Sequence, residues 1–366
     1  MLYDRDRELA LFDDALARAS RGEGGLVLIE GPPGVGKTTL LREAGREALA
    51  AGAQVLNARA GELERDHSYG LVRQLMEPAL AKASEAQREV LLGGAARSAA
   101  APLGLDGGEP VFEVTTALNG LFWLTANLAT DRPLVLLADD LQWADAPSMR
   151  YLLFLVRRLD GLPLLVVGGT RPAGGGDDAH LLRELACDPT VMVLAPGLLG
   201  AASVASLVRE RYDAYADPAF VEECAQASGG NPFLLGELLQ ACTQEQVPAS
   251  AEGARRIHEL GPRTIARAVL LRIAALGADA RALVRAVAIL GTDVPLPRAA
   301  QLAGLSAAAA TTAADALSSV AVLEQRRPLE FLHPVIRSAV YGDLPAGDRS
   351  AGHRDAARLL VSEGAA

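Results

Sequence analysis

The sequence predicts an α/β fold, a parallel sheet covered by helices, followed by segments that are helical only. Three observations carry that prediction. Apolar runs of strand length alternate with helical stretches as far as about Leu194, a glycine-rich loop joins the first run directly to a helix, and from about Pro196 the alternation stops. Strands are expected over 26–30, 54–58, 134–138, 164–168 and 191–194. Continuous Val, Leu and Ile runs bounded by Gly, Pro or Asp mark strands buried on both faces.

The first strand, Leu26-Val27-Leu28-Ile29, leads into Gly31-Pro32-Pro33-Gly34-Val35-Gly36-Lys37-Thr38, and Thr39-Leu40-Leu41-Arg42-Glu43-Ala44 continues as a helix. This is the phosphate-binding loop pattern G-x-x-x-x-G-K-[ST] in the strand-to-helix context that gives it meaning. Its glycines let successive N–H groups point at a phosphate, and the helix dipole adds partial positive charge. ATP or ADP is the expected ligand, lined by Gly31, Pro33, Gly34, Val35, Gly36 and Thr39. Lys37 is expected on the β- and γ-phosphates, and the Thr38 hydroxyl on Mg²⁺.

The strand over 134–138 ends in Asp139-Asp140. Carboxylates at the C-terminal end of a parallel strand lie where such sheets bind ligands. Asp139 is expected to hold Mg²⁺ through its water shell, and Asp140 to orient an attacking water. The strand over 164–168 ends in Thr170-Arg171-Pro172, at the same sheet edge. The donor fork of Arg171 suits a γ-phosphate, so Arg171 joins Lys37 and Asp140 as a candidate catalytic residue. The stretches 93–108 and 173–178 read as loops.

After the sheet, helices over 202–212, 218–228 and 232–243 form a small bundle, with 246–250 as a linker. Helices over 279–290, 298–302 and 307–318, a hairpin pairing 321–324 with 328–332, and a helix over 334–341 together spell a winged helix. The expected division is 1–195 for the nucleotide domain, 196–250 for the helical domain, 251–345 for the winged helix and 346–366 for the start of a further helical region.

Composition narrows the setting. In 366 residues of which 50% are hydrophobic there is ample core-forming material, yet no apolar run reaches membrane-spanning length. The charged start Met1-Leu2-Tyr3-Asp4-Arg5-Asp6-Arg7 does not resemble a secretory signal. Scattered Cys187, Cys224 and Cys242 point to a reducing cytoplasm, and neither they nor the histidines show metal-ligand spacing. A formal net charge of −10 disfavours non-specific binding to nucleic acid or an anionic membrane.

With these residues placed, the chain resembles the signal-transduction ATPases with numerous domains (STAND). Within them it is similar to the nucleotide-binding region of the large ATP-binding LuxR-type transcriptional regulators of bacteria. Leu2-Tyr3-Asp4-Arg5-Asp6-Arg7-Glu8-Leu9 resembles the family's L-x-G-R-x-x-E-L, with Asp4 where the pattern has glycine. Asp139-Asp140-Leu141-Gln142-Trp143-Ala144-Asp145 resembles D-D-x-x-W-A-D, Gly230-Asn231-Pro232-Phe233 resembles G-N-P-F, and Phe331-Leu332-His333-Pro334 resembles F-x-H-P. The resemblance implies an AAA-like (ASCE) P-loop NTPase, Arg5 near the adenine, Pro232 packed on it, and His333 close to the β-phosphate of ADP. It also implies an ATP/ADP-dependent switch that self-associates in the ATP state and answers an unknown inducer or regulatory protein. DNA would be bound only through a C-terminal domain outside this chain. The alternative is a ring ATPase that remodels a substrate by continuous hydrolysis.

The winged-helix segment itself is not expected to read DNA. No Lys or Arg lies between Arg298 and Arg326, and Ser306-Ala307-Ala308-Ala309-Ala310-Thr311, where a recognition helix would begin, offers no phosphate clamp. The chain should therefore show no sequence-specific affinity for duplex DNA at physiological salt. Salt-sensitive, sequence-discriminating binding in a titration against random and promoter-derived duplexes would place DNA recognition inside this chain.

Overall fold

The computed structural model describes residues 2–61, 67–105, 113–171, 179–320, 322–324, 328–332 and 334–362. Helix α1 (Asp6–Ser20) precedes β1 (Gly25–Glu30), and α2 (Lys37–Ala50) leads to β2 (Gln54–Arg59). Helices α3 (Gly70–Lys82), α4 (Glu85–Leu91) and α5 (Val114–Leu128) separate β2 from β3 (Leu134–Asp139). Then come α6 (Ala146–Val156), β4 (Leu164–Thr170), α7 (Ala179–Cys187) and β5 (Val191–Leu194). The five strands form one parallel sheet in the order β2-β3-β4-β1-β5. This is the parallel α/β fold of a P-loop NTPase, with each expected strand present.

Period-two alternation explains how the sheet is covered. Val27, Ile29, Val135, Leu137, Leu165 and Val167 pack with Phe12 of α1 and with Leu40, Leu41 and Ala44 of α2. Their neighbours Leu26, Leu28, Leu134, Leu136, Leu164 and Val166 face the opposite core, with side chains of α3, α5, α6 and α7. Strands buried on both faces must be apolar at every position, which is why β3 and β4 are buried along their whole length.

The strand order places β4 between the strand that carries the phosphate loop and the strand that carries the acidic pair. Close packing at the end of β4 depends on glycine. A Cβ on Gly169 would stand 2.6 Å from Asp139 Oδ1 and 2.7 Å from Leu41 Cδ1, so a larger residue there would displace the carboxylate.

The downstream helices are α8 (Ala201–Arg211), α9 (Pro218–Ser228), α10 (Pro232–Gln244) and α11 (Ala251–Ala275). After them come α12 (Ala278–Leu290), α13 (Leu296–Ala303), α14 (Ala307–Ser319), α15 (Pro334–Asp343) and α16 (Ala346–Ser362). Asp217 and Asn231 cap α9 and α10, each followed by proline at the first helical position, where its missing N–H costs nothing. Antiparallel bridges join Val294 to Leu329 and Leu323 to Phe331, and residues 325–327 at the expected hairpin turn lie outside the described residues.

Two local expectations need correction, and one long helix is added. Part of the stretch 93–108 is a 3₁₀ helix, Gly94–Ala99, whose small Ala96 and Ala99 are fully buried against α5. The segment 246–250 is packed rather than free: Val247 is buried, and its carbonyl accepts from the Tyr212 hydroxyl. Helix α11 runs for 25 residues and packs on α9, α10 and α15, so it belongs to the cores of two helical groups at once.

The last residue of the extended acidic motif is structural. Asp145 is buried; Oδ1 accepts the N–H of Ser148 at 2.9 Å and of Tyr69 at 2.7 Å, and Oδ2 accepts that of Leu71 at 3.3 Å. One carboxylate thus caps α6 and holds the start of α3. Asp145→Ala would orphan three N–H groups and is expected to destabilise the nucleotide domain by roughly 2–4 kcal/mol. Denaturant unfolding followed by fluorescence checks this, and a midpoint equal to that of the unaltered protein would contradict it.

Candidate functional site

The loop after β1 is shaped by two left-handed glycines, Gly34 at φ 83° and Gly36 at φ 101°, and Gly36 caps the start of α2. Its first N–H, at Gly31, donates to the Thr170 carbonyl at 3.2 Å, which ties the loop to the tip of β4. Lys37 is the first residue of α2 and is buried; its Nζ donates to the carbonyls of Gly31 at 2.6 Å and Pro32 at 3.0 Å. Burial first, and then the Arg171 charge, lower the Lys37 pKa to about 8, against the opposing pull of Asp140 and Asp139.

Thr38 Oγ1 donates to Asp139 Oδ2 at 2.7 Å. A hydroxyl and a carboxylate oxygen brought together across 101 residues of sequence are hard donors that suit Mg²⁺, so the residues present fit that ion. Bound there, Mg²⁺ would neutralise charge on the terminal phosphate oxygens. Asp139 Oδ1 accepts the Asp140 N–H at 2.9 Å, and Asp140 itself takes the left-handed conformation, φ 56°. Aspartate tolerates that backbone better than most residues, which lets the chain turn sharply at the cleft.

Asp140 does not stand alone. Its Oδ2 receives Arg59 Nε at 2.9 Å and Nη2 at 2.8 Å, while Oδ1 receives Gln142 Nε2 at 2.9 Å. Burial alone would raise its pKa. The hydrogen bonds from Gln142 and Arg59, with the charges of Arg171 and Arg59, outweigh that and hold it below the ordinary aspartate value. Asp140 is therefore ionised at neutral pH, as an acceptor that orients water requires. Gln142 also accepts the Arg171 N–H at 3.1 Å, so a single amide links the acidic pair to the tip of β4.

Arg171 reaches away from the sheet. Its Nη1 donates to the carbonyl of Ser319, the last residue of α14. Arg5 is buried, and its Nη2 donates to the carbonyls of Val35 at 3.0 Å and Gly197 at 2.7 Å. It clamps the phosphate loop to the segment leading into α8. Asp4, where the resembled family has glycine, adopts φ 55°, and its Oδ2 accepts the Gly200 N–H at 2.7 Å. The side chain thereby ties the N-terminal segment to Gly200, the residue before α8.

The start of α10 docks on the phosphate loop. Phe233 N–H donates to the Gly34 carbonyl at 3.3 Å, and Asn231 Nδ2 donates to that of Pro33 at 3.5 Å, while Asn231 Oδ1 caps the helix. A cleft of about 460 Å³ results. Its lining brings together Arg5, Pro33–Thr39, Asp140, Arg171 and Pro232. Gly31 closes the base of the loop against Lys37, and Asp139 lies beside Thr38. His333 lies outside the described residues. Trp143 packs partly buried against the sheet core. The lining also includes Arg59, Arg211 and Arg272, which no motif marks.

Comparison with known proteins agrees with this fold. Residues 1–167 match the family model described as an AAA ATPase domain. The Walker-type ATPase of Pyrococcus abyssi superposes with a TM-score of 0.54 at 16% identity, over 93% of this chain and 96% of that one, a likeness that shows the fold. A STAND protein with a tetratricopeptide repeat sensor from Pyrococcus horikoshii gives a TM-score of 0.44 at 17% identity, over 99% of this chain and 45% of that one. An uncharacterized protein of Rhizobium meliloti (strain 1021) is 26% identical over 395 residues, taking in 96% of this chain; the chain spans 36% of that relative's length.

The lowered pKa of Lys37 has a measurable consequence. A phosphate beside Lys37 favours its charged form, so binding takes up a proton when the solution lies above about pH 8. Nucleotide affinity is therefore expected to fall as pH rises through that value, by up to about tenfold per unit. Calorimetry in two buffers of unlike ionisation heat reads the proton uptake directly. A pH-independent affinity without proton uptake would remove Lys37 from the phosphate contacts.

Proposed function

We propose that this chain is an ATP/ADP-dependent conformational switch, the nucleotide-binding and self-associating module of a STAND-type bacterial transcriptional regulator acting in the cytoplasm. In this reading Lys37 contacts the β- and γ-phosphates, Thr38 and Asp139 hold Mg²⁺, and Asp140 orients water for slow hydrolysis. Arg171 senses the γ-phosphate, Arg5 and Pro232 flank the adenine side, and His333 meets the β-phosphate of ADP. The segment 251–345 serves as a winged helix that moves rather than one that binds DNA; helices α12, α13 and α14 followed by antiparallel bridges support that assignment.

One observation carries the proposal. The walls of the cleft come both from the phosphate loop with Asp140 and from Pro232, Phe233 and Arg272 of the downstream helices. A ligand whose length and charge differ between ATP and ADP can thus bind two arrangements of those helices unequally, which is the only way a ligand shifts their populations. Continuous remodelling by a ring would instead require steady turnover without any signal.

Two measurements test the proposal. Freshly purified protein, denatured and assayed for nucleotide, is expected to release ADP. Rapid signal-free turnover would favour the ring alternative. Asp140→Asn is expected to keep ATP binding within a few-fold of wild type and to slow hydrolysis by about 100-fold, since it removes the group that handles water and leaves the Mg²⁺ side intact. Loss of binding as large as the loss of hydrolysis would assign Asp140 to the metal instead.

A further inference from the structure

The geometry points to a charge exchange that rests on the nucleotide reading of the cleft. We infer that Arg272 acts with Arg171 as a second sensor of the terminal phosphate, and that the C-terminal carbonyls of α14 compete with that phosphate for both guanidinium groups.

Both arginines end on the same helix terminus. Arg171 Nη1 donates to the Ser319 carbonyl, and Arg272 Nη1 to the Val320 carbonyl at 3.5 Å. Ser319 is the last residue of α14 and Val320 its C-cap, so these carbonyls belong to the final turn, which has no intrahelical donors. The helix dipole gives that end roughly half a negative charge. It offers a partial counter-charge to two cations that repel each other: burial first lowers the Arg272 pKa, and the Arg171 charge lowers it further, against Glu237.

Arg272 is also tied to the phosphate loop from the other side. Its guanidinium lies 3.7 Å from the centre of the Phe233 ring, and the Phe233 N–H donates to Gly34 at 3.3 Å. Arg272, Arg171 and Lys37 line one cleft. A γ-phosphate carries more charge than a helix end, and its oxygens can accept a guanidinium fork in two parallel bonds where a single carbonyl accepts one. ADP lacks that group, so the exchange distinguishes the two nucleotides.

The released element is a whole module. Ala310, Ala313, Ala314 and Leu317 of α14 share one core with α12, α13 and the bridged residues Leu323, Leu329 and Phe331. Withdrawing Arg171 from Ser319 therefore removes one tie between that core and the nucleotide domain, while Arg272, on α11 between Val269 and Ile273 of the same core, gives up a bond inside the module and turns to the cleft.

Binding of adenylyl imidodiphosphate and of ADP, each with Mg²⁺, to the whole chain and its variants tests the inference. Arg272→Gln should lower the ratio of triphosphate to diphosphate affinity by about tenfold. Arg272→Lys should restore part of that ratio. Ser319→Asp supplies a full carboxylate to the arginines and should lower the ratio, whereas Ser319→Lys should raise it. If Arg272→Gln weakens both nucleotides by one factor, or if the two Ser319 variants move the ratio in the same direction, the exchange is wrong while the nucleotide cleft stands. Failure of the unaltered protein to bind either nucleotide would overturn the cleft reading and the exchange together.

Discussion

Positive charge concentrated in a half-buried cleft is the condition that the rest of the molecule accommodates. Cations withdrawn from water repel one another and need partners. Each of the cleft's central cations finds one that also joins parts of the chain. Lys37 rests on Gly31 and Pro32 and thereby fixes the curve of the loop. Arg5 ties Val35 to Gly197, and Arg59 meets Asp140 across the ends of two strands. Arg171 carries the same demand beyond the sheet to the end of α14, where Arg272 of α11 also donates. Contacts of the cleft cations thus stand among those that join the nucleotide domain to the downstream helices.

The sheet order gives that chemistry its layout. With β4 between β1 and β3, Thr170 and Arg171 emerge between the phosphate loop and the acidic pair. Gly169 leaves room for Asp139 to stand against that strand. Gln142 then joins Asp140 to the Arg171 backbone, so a change at either carboxylate is felt at the tip of β4. Parallel strands present their C-terminal ends together, which explains why residues from Gly31 to Arg171 converge on one edge.

How much of this was legible in the sequence follows from the range of the interactions. The buried strands show as apolar runs, and the phosphate loop shows as spacing, because both are local. Helix α11 did not show: Gly261-Pro262 reads as punctuation, yet the helix continues through it. The helix as a whole packs on α9, α10 and α15, contacts between elements that no local pattern displays. Asp4 illustrates a substitution whose logic appears only in three dimensions, since it accepts the left-handed backbone and uses its carboxylate to hold the Gly200 N–H ahead of α8. Arg59, Arg211 and Arg272 lie at the ends of ordinary elements without any motif around them. Only folding reveals which surface arginines of a chain become cleft arginines.

Helix α11 has mechanical meaning beyond its place in two cores. A continuous helix of 25 residues is a stiff rod of about 37 Å, and Arg272 stands close to one end of it. A tilt of about 10° at the arginine end would sweep the other end through about 6 Å, on the scale of one helical turn. The rod thus has the leverage to turn a small adjustment at a phosphate into a displacement large enough to bury one surface or expose another.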